Sequence, residues 1–230
     1  MYIFYRISNN SYKKSKLQSA SKEKCLNNFL AEFGENDNVV NVIGDNITDV
    51  GLKKYLDSLK SVSLKYTKLN NAKSFLYILN LAVYLPAETL VYFVEDDYLH
   101  VPGSSAAVHE GIELADYVTL YDHPDKYINY SEGGLNKSVL GGGEDTKVLL
   151  TRSTHWKFTN STTMTFAAKV KTLREDYFVW VKYLETAHPY DYQAFLELRD
   201  KGRKVVSPIP SLSTHCDVDS LAPLVDWLSV

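Results

Sequence analysis

The first hundred residues alternate short apolar runs with stretches of helical spacing, and this alternation limits the possible folds most. The apolar runs that predict strands are YIFYRI, NVVNVIGDN, SVSLKYTKL and TLVYFVEDD. Between the first two, residues 19–33 repeat apolar side chains at helical spacing, and Gly34 gives a stop signal. Nearly uniformly apolar strands that alternate with helices form parallel sheets covered on both faces. The sequence therefore predicts an α/β fold with a mainly parallel sheet flanked by helices.

Local signals also place the ends of several helices. Thr48 is expected to cap the second helix, and residues 70–74 are expected to open a long helix that ends at Leu85, before Pro86. This helix contains SFLYILNLAVYLP, which is shorter than the roughly 20 apolar residues that a membrane-spanning helix needs. Residues 173–184 and 190–201 are also predicted to be helical.

Beyond Leu99 the pattern changes. TKVLLTR, HWKFT and STTMTFAAK predict strands of a small antiparallel addition, and RKVVSPIPSLSTH predicts an edge strand because it contains two prolines. Residues 131–145 hold five of the eleven glycines and predict a mobile loop. No repeat or low-complexity tail divides the chain, so we expect a single domain.

Composition and charge exclude several classes of protein. The net charge is −3 over 230 residues and the pI is about 6.1, which is not the basic footprint of a nucleic-acid or anionic-membrane binder. Cys25 and Cys216 are far apart and have no metal-type spacing, so a reduced, cytoplasmic protein is expected. The N-terminal apolar run is too short for a secretory signal, and its basic residues follow it.

Polar side chains follow three of the predicted strands, at the point where each strand ends. Ligand sites of open α/β sheets lie outside the carboxyl ends of the strands. We therefore expect one edge of the sheet to collect Arg6, Ser8, Asp45, Asn46, Glu95, Asp96 and Asp97.

The triplet Glu95-Asp96-Asp97 is the strongest candidate for chemistry. Three adjacent carboxylates at the end of a buried strand repel one another, and a bound divalent cation would offset that repulsion. Mg²⁺ and Mn²⁺ prefer oxygen ligands, and a substrate diphosphate commonly completes their coordination shell. A solvated acidic turn is the alternative, and the triplet alone leaves both interpretations open.

Two further residues are candidates from their positions. His215 follows the last predicted strand and its imidazole suits Mn²⁺, although a lone histidine is more often structural. His123 and His155 are rival ligands of lower rank. Asp191 begins a predicted helix, where the helix dipole favours an acid, but it also suits a general base that deprotonates a hydroxyl nucleophile.

Taken in order, these segments resemble the GT-A glycosyltransferases, specifically the inverting, family-2-like group with nucleotide-sugar donors. NVIGDNITD stands where that group has Asp-Asp-Gly-Ser-x-Asp, and Asn71-Ala72-Lys73-Ser74 is a loose counterpart of Asn-x-Gly-x-x-x-Ala-Arg-Asn. Glu95-Asp96-Asp97 stands for the Asp-x-Asp metal motif and Tyr190-Asp191 for the Glu-Asp pair of the base. His215 matches a C-terminal metal-binding histidine. Every motif departs from the family's pattern, so the chain resembles a divergent member.

The resemblance implies a GT-A (Rossmann-like) fold and a glycosyltransferase that depends on Mn²⁺ or Mg²⁺. It would move a hexosyl or pentosyl group from a UDP- or GDP-sugar to a glycan or other hydroxyl acceptor, with inversion. Glu95, Asp97 and His215 would hold the metal, and Asp191 would be the base. The contacts to the nucleotide sugar would come from Arg6, Ser8, Asp45, Asn46, Lys73 and Asp96.

The resemblance also assigns roles to longer segments. Residues 1–100 would form the nucleotide-binding half of the single domain, and residues 101–230 the acceptor-binding half. The glycine-rich loop, residues 131–145, would close over donor or acceptor. Trp156 and Trp180 could stack on a sugar, although core packing suits either of them better.

Two other functions stay open. A nucleotidyltransferase that makes activated sugars usually carries a glycine-rich, basic loop after its first strand, and SNNSYKK at residues 8–14 lacks the glycines. A non-catalytic nucleotide-sugar-binding domain would keep the fold without the activity. The presence of Asp97, Asp191 and His215 favours retained catalysis.

Overall fold

The computed structural model describes residues 1–9, 15–18, 20–35 and 37–230, and its elements alternate as the sequence predicts. The strands are β1 (Tyr2–Ser8), β2 (Val39–Asp45), β3 (Ser63–Thr67), β4 (Leu90–Glu95), β5 (Tyr98–His100), β6 (Tyr117–Val118), β7 (Val148–Leu150), β8 (His155–Thr159), β9 (Phe166–Lys169), β10 (Val205–Ile209) and β11 (Ser213–His215). The α-helices are α1 (Lys22–Phe33), α2 (Val50–Ser58), α3 (Asn71–Ala82), α4 (Ser104–Gly111), α5 (Val170–Glu175), α6 (Tyr177–Lys182) and α7 (Asp191–Asp200). Short 3-10 helices span Pro124–Lys126, Tyr130–Glu132 and Val218–Ser220.

The strands form one large sheet and one small sheet. The large sheet has nine strands in the order β3-β2-β1-β4-β9-β6-β10-β8-β7, and β5 and β11 form a separate antiparallel pair. Only β8 and β9 run against the other strands of the large sheet. The predicted class, a mixed and mainly parallel sheet flanked by helices with a small antiparallel sheet, is confirmed.

The central strands are apolar because helices cover both of their faces. Neighbouring side chains of β1 enter different cores, since successive side chains of a strand point to opposite faces. Phe4 packs in the core that contains Phe75 of α3 and Trp180 of α6. Tyr5 packs in the other core, with Phe29 of α1. A strand buried in this way cannot show the polar alternation of a strand with one wet face.

The helix ends differ from the sequence prediction at three places. Thr48 does not cap α2, because the carboxylate of Asp49 accepts the Leu52 amide at 2.7 Å and takes that role. The helix α3 ends at Ala82 and not at Leu85. The helix expected to start at residue 19 starts at Lys22, while residue 19 itself lies outside the described part of the chain. Helices of this length do not span a bilayer, and the described residues contain no helix long and apolar enough to do so.

The helix predicted over residues 173–184 is two helices, α5 and α6, that meet at Asp176. The Asp176 carboxylate accepts hydrogen bonds from the Tyr117 hydroxyl at 2.7 Å and from Arg203 Nε at 2.8 Å. Asp176 is only 5% exposed. A buried carboxylate with two fixed donors holds its backbone in place, so the helix breaks there and the chain turns.

The strand with two prolines is not at an edge, which corrects the prediction. β10 lies between β6 and β8. Pro208 pairs with Trp156 of β8, whereas β6 provides partners only to Val205 and Val206. Because β6 has already ended, the missing N–H of Pro208 costs no ladder hydrogen bond on that side.

The strand β9 also has an unexpected place. We expected it in an antiparallel addition, and it is antiparallel to both neighbours, but it lies within the large sheet between β4 and β6. Ala167 and Ala168 are fully buried on opposite faces. Small side chains leave room for the helices that cover this part of the sheet.

Candidate active site

The parallel register of β1, β2 and β4 gathers the predicted polar residues at one edge. Ser8 of β1 is level with Asp45 of β2, and Arg6 is level with Glu95 of β4. These strand ends open into a cavity of about 390 Å³, a size suited to a small ligand. Among the residues that line it are Arg6, Ser8, Lys16, Asp45, Asn46, Asn71, Glu95, Asp96, Asp97, Thr163, His188, Asp191, His215 and Asp217.

The small sheet delivers His215 to this cavity. β11 pairs with β5 so that His215 is opposite Tyr98, and their rings contact edge to face at 5.3 Å. The next amide, that of Cys216, donates to the carbonyl of Asp97 at 2.8 Å. A residue near the C-terminus is therefore fixed beside the acids of β4, as the sequence prediction requires.

Glu95 lies against Arg6. Arg6 Nη2 is 3.1 Å from Glu95 Oε1, and Nη1 donates to the carbonyl and the side-chain oxygen of Asn71 at 3.0 and 2.7 Å. Burial raises the pKa of Glu95 to about 7, an effect that the Arg6 guanidinium opposes and Asp97 reinforces. Arg6 of β1 thus orients Glu95, and Asn71, the first residue of α3, holds Arg6 in place.

Asp96 has a different pair of donors. Its Oδ2 accepts the Ser8 amide at 2.7 Å and the Lys22 ammonium at 2.6 Å. Asp96 is 8% exposed. Burial raises its pKa, while Lys22 acts in the opposite direction. This acid ties the end of β4 to the end of β1 and to the start of α1.

Asp97 carries two basic neighbours on one oxygen. Its Oδ2 is 2.8 Å from Lys16 Nζ and 3.3 Å from His215 Nε2. Burial acts to raise the pKa of Asp97, but His215 and Lys16 outweigh it and hold that pKa far below its usual range. The same contact raises the pKa of His215 despite the burial of its ring.

The three adjacent acids therefore each have their own basic partner. The sequence argument proposed a metal ion to offset their mutual repulsion, yet Arg6, Lys22 and Lys16 already do so, one for each acid. Repulsion alone is consequently no reason to place a metal here. The case for a metal depends on the donor set.

Asp97, His215 and Asp217 form that donor set. One ligand atom from each lies within 4.8 Å of the others. Carboxylate oxygens with one imidazole nitrogen suit Mn²⁺, and the oxygens also suit Mg²⁺. His215 Nε2 faces Asp97, while Nδ1 is 3.3 Å from Asp217 Oδ2. A carboxylate behind a histidine is the usual arrangement that orients a metal-binding imidazole, so these residues fit a divalent cation.

Asp191 is the first residue of α7 and lines the same cavity. Its Oδ1 accepts the Tyr192 amide at 2.7 Å. Burial raises the pKa of Asp191, against the effects of that hydrogen bond and of His123. A carboxylate with a raised pKa and access to a cavity is suited to accept a proton.

Asp45 and Asn46 form the wall of the cavity beside β2. Asp45 Oδ1 accepts from the Thr67 hydroxyl at 2.8 Å and the Leu69 amide at 2.7 Å, and Asn46 Nδ2 donates to the Leu69 carbonyl. Asn46 adopts a left-handed backbone with φ of 52°, a conformation that asparagine tolerates. These contacts position the loop that leads to α3.

Other sequence candidates lie elsewhere. Lys73 is exposed on α3 and lies outside the lining of the cavity. His155 is exposed on β8, and His123 pairs with Asp125 at 2.8 Å. Trp156 and Trp180 are fully buried. The two tryptophans belong to the core, as the sequence analysis favoured.

The glycine-rich loop contributes no lining residue among those the structure describes. Asn136 and Val139 within it are fully buried. Glu144 accepts the Asn160 amide at 2.9 Å and is 3.4 Å from Lys157. The loop is therefore fastened to β8 at its buried residues.

The sequence reasoning missed Lys16, Lys22, Asn71 and Asp217. Lys16 stands in a run with other lysines, and the spacing of that run does not say which lysine faces the acids. Asp217 could have been found, since it is two residues after His215 and that spacing places a carboxylate beside the imidazole. Asn71 was noticed as a helix opener but not as the partner of Arg6.

Comparisons with known proteins give matches by structure only. No protein-family model and no curated protein sequence matches the chain. A protein from Desulfovibrio desulfuricans G20, described as a nucleotide-diphospho-sugar transferase, matches with a TM-score of 0.52 and 9% identity, over 90% of this chain and 78% of that one. Residues 1–349 of S. aureus TarS, in complex with UDP-GlcNAc, match with 0.52 and 14% identity, over 90% and 56%.

A nucleotidyl transferase from Methanothermobacter has a TM-score of 0.48 at 10% identity, over 89% of this chain and 85% of that one. At identities this low, structural likeness defines the fold. The two matches at 0.52 show that the chain has the GT-A, Rossmann-like fold of nucleotide-diphospho-sugar transferases, and the activity must be argued from the site.

Proposed function

We propose that this protein is a metal-dependent glycosyltransferase. It moves a hexosyl or pentosyl group from a UDP- or GDP-sugar to a hydroxyl of a glycan or other acceptor, with inversion at the anomeric carbon. The observation that carries the proposal is the convergence of Glu95, Asp96, Asp97, Asp191 and His215, from three separate segments, on one cavity.

Asp97 and His215 are the proposed metal ligands, with Asp217 orienting His215 or joining the set. Glu95 faces the same cavity from its contact with Arg6. When bound, a divalent cation would neutralise charge that develops on the diphosphate leaving group. The chain's own part would be to hold that cation beyond the carboxyl end of β4, in the cavity that Ser8 and Asn46 also line.

Asp191 is the proposed general base. It comes from the second half of the chain and lines the same cavity as the acids that follow β4. An acceptor hydroxyl bound beside it would lose its proton to Asp191 as the sugar transfers. Attack from the face opposite the diphosphate inverts the anomeric centre. The transition state has oxocarbenium character, and the acids of the cavity stabilise positive charge on the sugar ring.

In this proposal, the two halves of the chain bind different substrates. Residues 1–100 supply the nucleotide-binding wall through Arg6, Ser8 and Asp45, and residues 101–230 supply Asp191 and the acceptor side. The likeness to TarS in complex with UDP-GlcNAc makes UDP-GlcNAc the first donor to test.

The test replaces Asp191 with asparagine. Release of UDP from the donor, with water as acceptor, should fall by about 10²–10⁴-fold, the usual contribution of a general base. Donor binding should stay within about twofold, because the carboxamide keeps the shape of the side chain. Asp200→Asn is the matched control, since Asp200 ends the same helix and its side chain is 71% exposed. Unchanged turnover in Asp191→Asn would remove Asp191 from the role.

A further inference from the structure

Lys16 contacts Asp97 of the candidate donor set, and its backbone is attached to the segment that carries the other two members of that set. The Leu17 amide donates to the Cys216 carbonyl at 2.9 Å, and the Val218 amide donates to the Ser15 carbonyl at 2.9 Å. Lys16 and Asp217 form an isolated antiparallel bridge between these two hydrogen bonds. The segment that carries Lys16 is therefore attached to the segment that carries His215 and Asp217.

The side chain of Lys16 contacts the oxygen that faces His215. Lys16 Nζ and His215 Nε2 both approach Asp97 Oδ2, at 2.8 and 3.3 Å. Because Oδ2 is the Asp97 oxygen that faces His215, a cation held between Asp97 and His215 would approach this oxygen and would meet the ammonium at short range. Like charges repel strongly at such distances in a partly buried site. The metal ion and Lys16 therefore compete for Asp97.

The side chain of Lys16 is less enclosed than that of Arg6. The Lys16 side chain is 24% exposed and lines the cavity, while the Arg6 side chain is 7% exposed and is held by Asn71 as well as Glu95. An ammonium on a flexible four-carbon stem binds phosphate as a point charge. Once displaced from Asp97, Lys16 stays in the cavity where the diphosphate of a nucleotide would lie.

We propose that Lys16 exchanges between Asp97 and the diphosphate of the nucleotide sugar, so that metal ion and nucleotide bind with positive cooperativity. The inference rests on the proposed function, which supplies the diphosphate. Without nucleotide, Lys16 weakens metal binding. With nucleotide, Lys16 moves to the phosphates and frees Asp97, and reciprocity requires the metal to strengthen nucleotide binding by the same factor.

The experiment measures Mn²⁺ affinity by calorimetry, without nucleotide and with saturating UDP or GDP, for the wild type and Lys16→Met. Methionine keeps much of the side-chain length and removes the charge. Lys22→Met is the charge-matched control, because Lys22 contacts Asp96 at 2.6 Å and Asp96 lies outside the Asp97–His215–Asp217 donor set.

In Lys16→Met, we expect Mn²⁺ without nucleotide to bind about five- to tenfold more tightly, and the enhancement by nucleotide to shrink by a similar factor. Lys22→Met should change the affinity for Mn²⁺ alone by less than about threefold. A merely structural role for Lys16 predicts the opposite sign, since a damaged site binds metal more weakly.

Each outcome has a distinct meaning. Unchanged or weaker Mn²⁺ binding in Lys16→Met, with normal binding in the wild type, would overturn the exchange and leave the transferase proposal intact. Equal tightening in both lysine variants would also overturn it, because the effect would then be general electrostatics. No Mn²⁺ binding by any of the proteins, with or without nucleotide, would overturn both the exchange and the proposed metal dependence.

Discussion

Two of the groups of ion pairs among the described residues differ in access to the cavity. The acid edge, Glu95 to Asp97 with its basic partners, opens into the cavity. The closed lysine cluster, formed by Lys157, Asp122 and Glu144, lies under the glycine-rich loop. Lys157 Nζ is 2.9 Å from Asp122 and 3.4 Å from Glu144, and the side chains of Lys157 and Asp122 are each 3% exposed.

This difference in access suggests different roles: the closed lysine cluster stabilises the fold, and the acid edge can bind a ligand. In the closed lysine cluster, burial acts to lower the pKa of Lys157, but Asp122 outweighs it and raises that pKa. Neither Lys157 nor Asp122 lines the cavity at the acid edge. Such buried contacts hold the glycine-rich loop against β8. At the acid edge, Arg6 and Lys16 line the cavity, so a ligand in the cavity can reach them.

The largest expected difference between the closed lysine cluster and the acid edge is in the free energy of unfolding after loss of a lysine. Lys157→Met should cost about 3–5 kcal/mol in the free energy of unfolding, because it leaves two buried carboxylates without their cation. Lys16→Met should cost less than about 1 kcal/mol, since Asp97 keeps His215 and water. Urea unfolding followed by tryptophan fluorescence measures both. Similar costs for the two variants would show that the acid edge is as closed as the lysine cluster.

The next largest effect is expected in the affinity for Mn²⁺. His215→Ala should weaken the affinity for Mn²⁺ at least about tenfold, while the free energy of unfolding changes by less than about 1 kcal/mol. His155→Ala is the control, because His155 is exposed and far from the cavity lining. A wild-type affinity for Mn²⁺ in His215→Ala would reject His215 as a ligand.

In the described part of the chain, the buried His100 has no acidic partner, unlike the bases of the acid edge, and it should make the stability of the fold depend on pH. His100 is 1% exposed, its Nε2 is 2.9 Å from the Tyr92 hydroxyl, and Nδ1 has no hydrogen-bond partner among the residues the structure describes. Burial lowers the pKa of His100 to about 3. The unfolded chain therefore binds a proton near pH 6.5 that the folded chain binds only near pH 3.

The stability of the fold should consequently fall as the pH drops from about 6.5 toward 3, by up to roughly 1.4 kcal/mol per pH unit from this one group. In His100→Gln this decline should be shallower, while His155→Gln should leave the slope unchanged. Urea midpoints at pH 7, 6 and 5 give the measurement. Equal slopes in the wild type and His100→Gln would mean that His100 is not held neutral by the fold.

Much of the fold was predictable because its signals are local. Uniformly apolar strands between amphipathic helices predicted the parallel core, and polar residues at strand ends predicted the edge where Asp45 and Glu95 meet. Placement of β9 and β10 was not predictable, because strand order beyond β4 depends on long-range packing of Ala167 and Ala168 and on where β6 stops.

The candidate site also has a part that the sequence predicted and a part that it did not. Sequence order brought Asp97, Asp191 and His215 into one hypothesis, and the structure places all three in one cavity. The basic partners of the acids could not be predicted, because their contacts join residues that are far apart in the sequence and no local pattern records them. Lys16 lies beside Asp97 in a segment that a backbone bridge joins to Asp217 and a hydrogen bond of Leu17 joins to Cys216.

We propose that a divalent cation held by Asp97 and His215 would join the donor diphosphate to the acid edge. Calorimetric titration of the wild type with UDP-GlcNAc, and then with other UDP- and GDP-sugars, in Mn²⁺ and in EDTA, tests it directly. At least one nucleotide sugar should bind, and Mn²⁺ should tighten its binding about tenfold or more. Binding of equal strength in EDTA, or no binding of any nucleotide sugar with Mn²⁺ present, would contradict it.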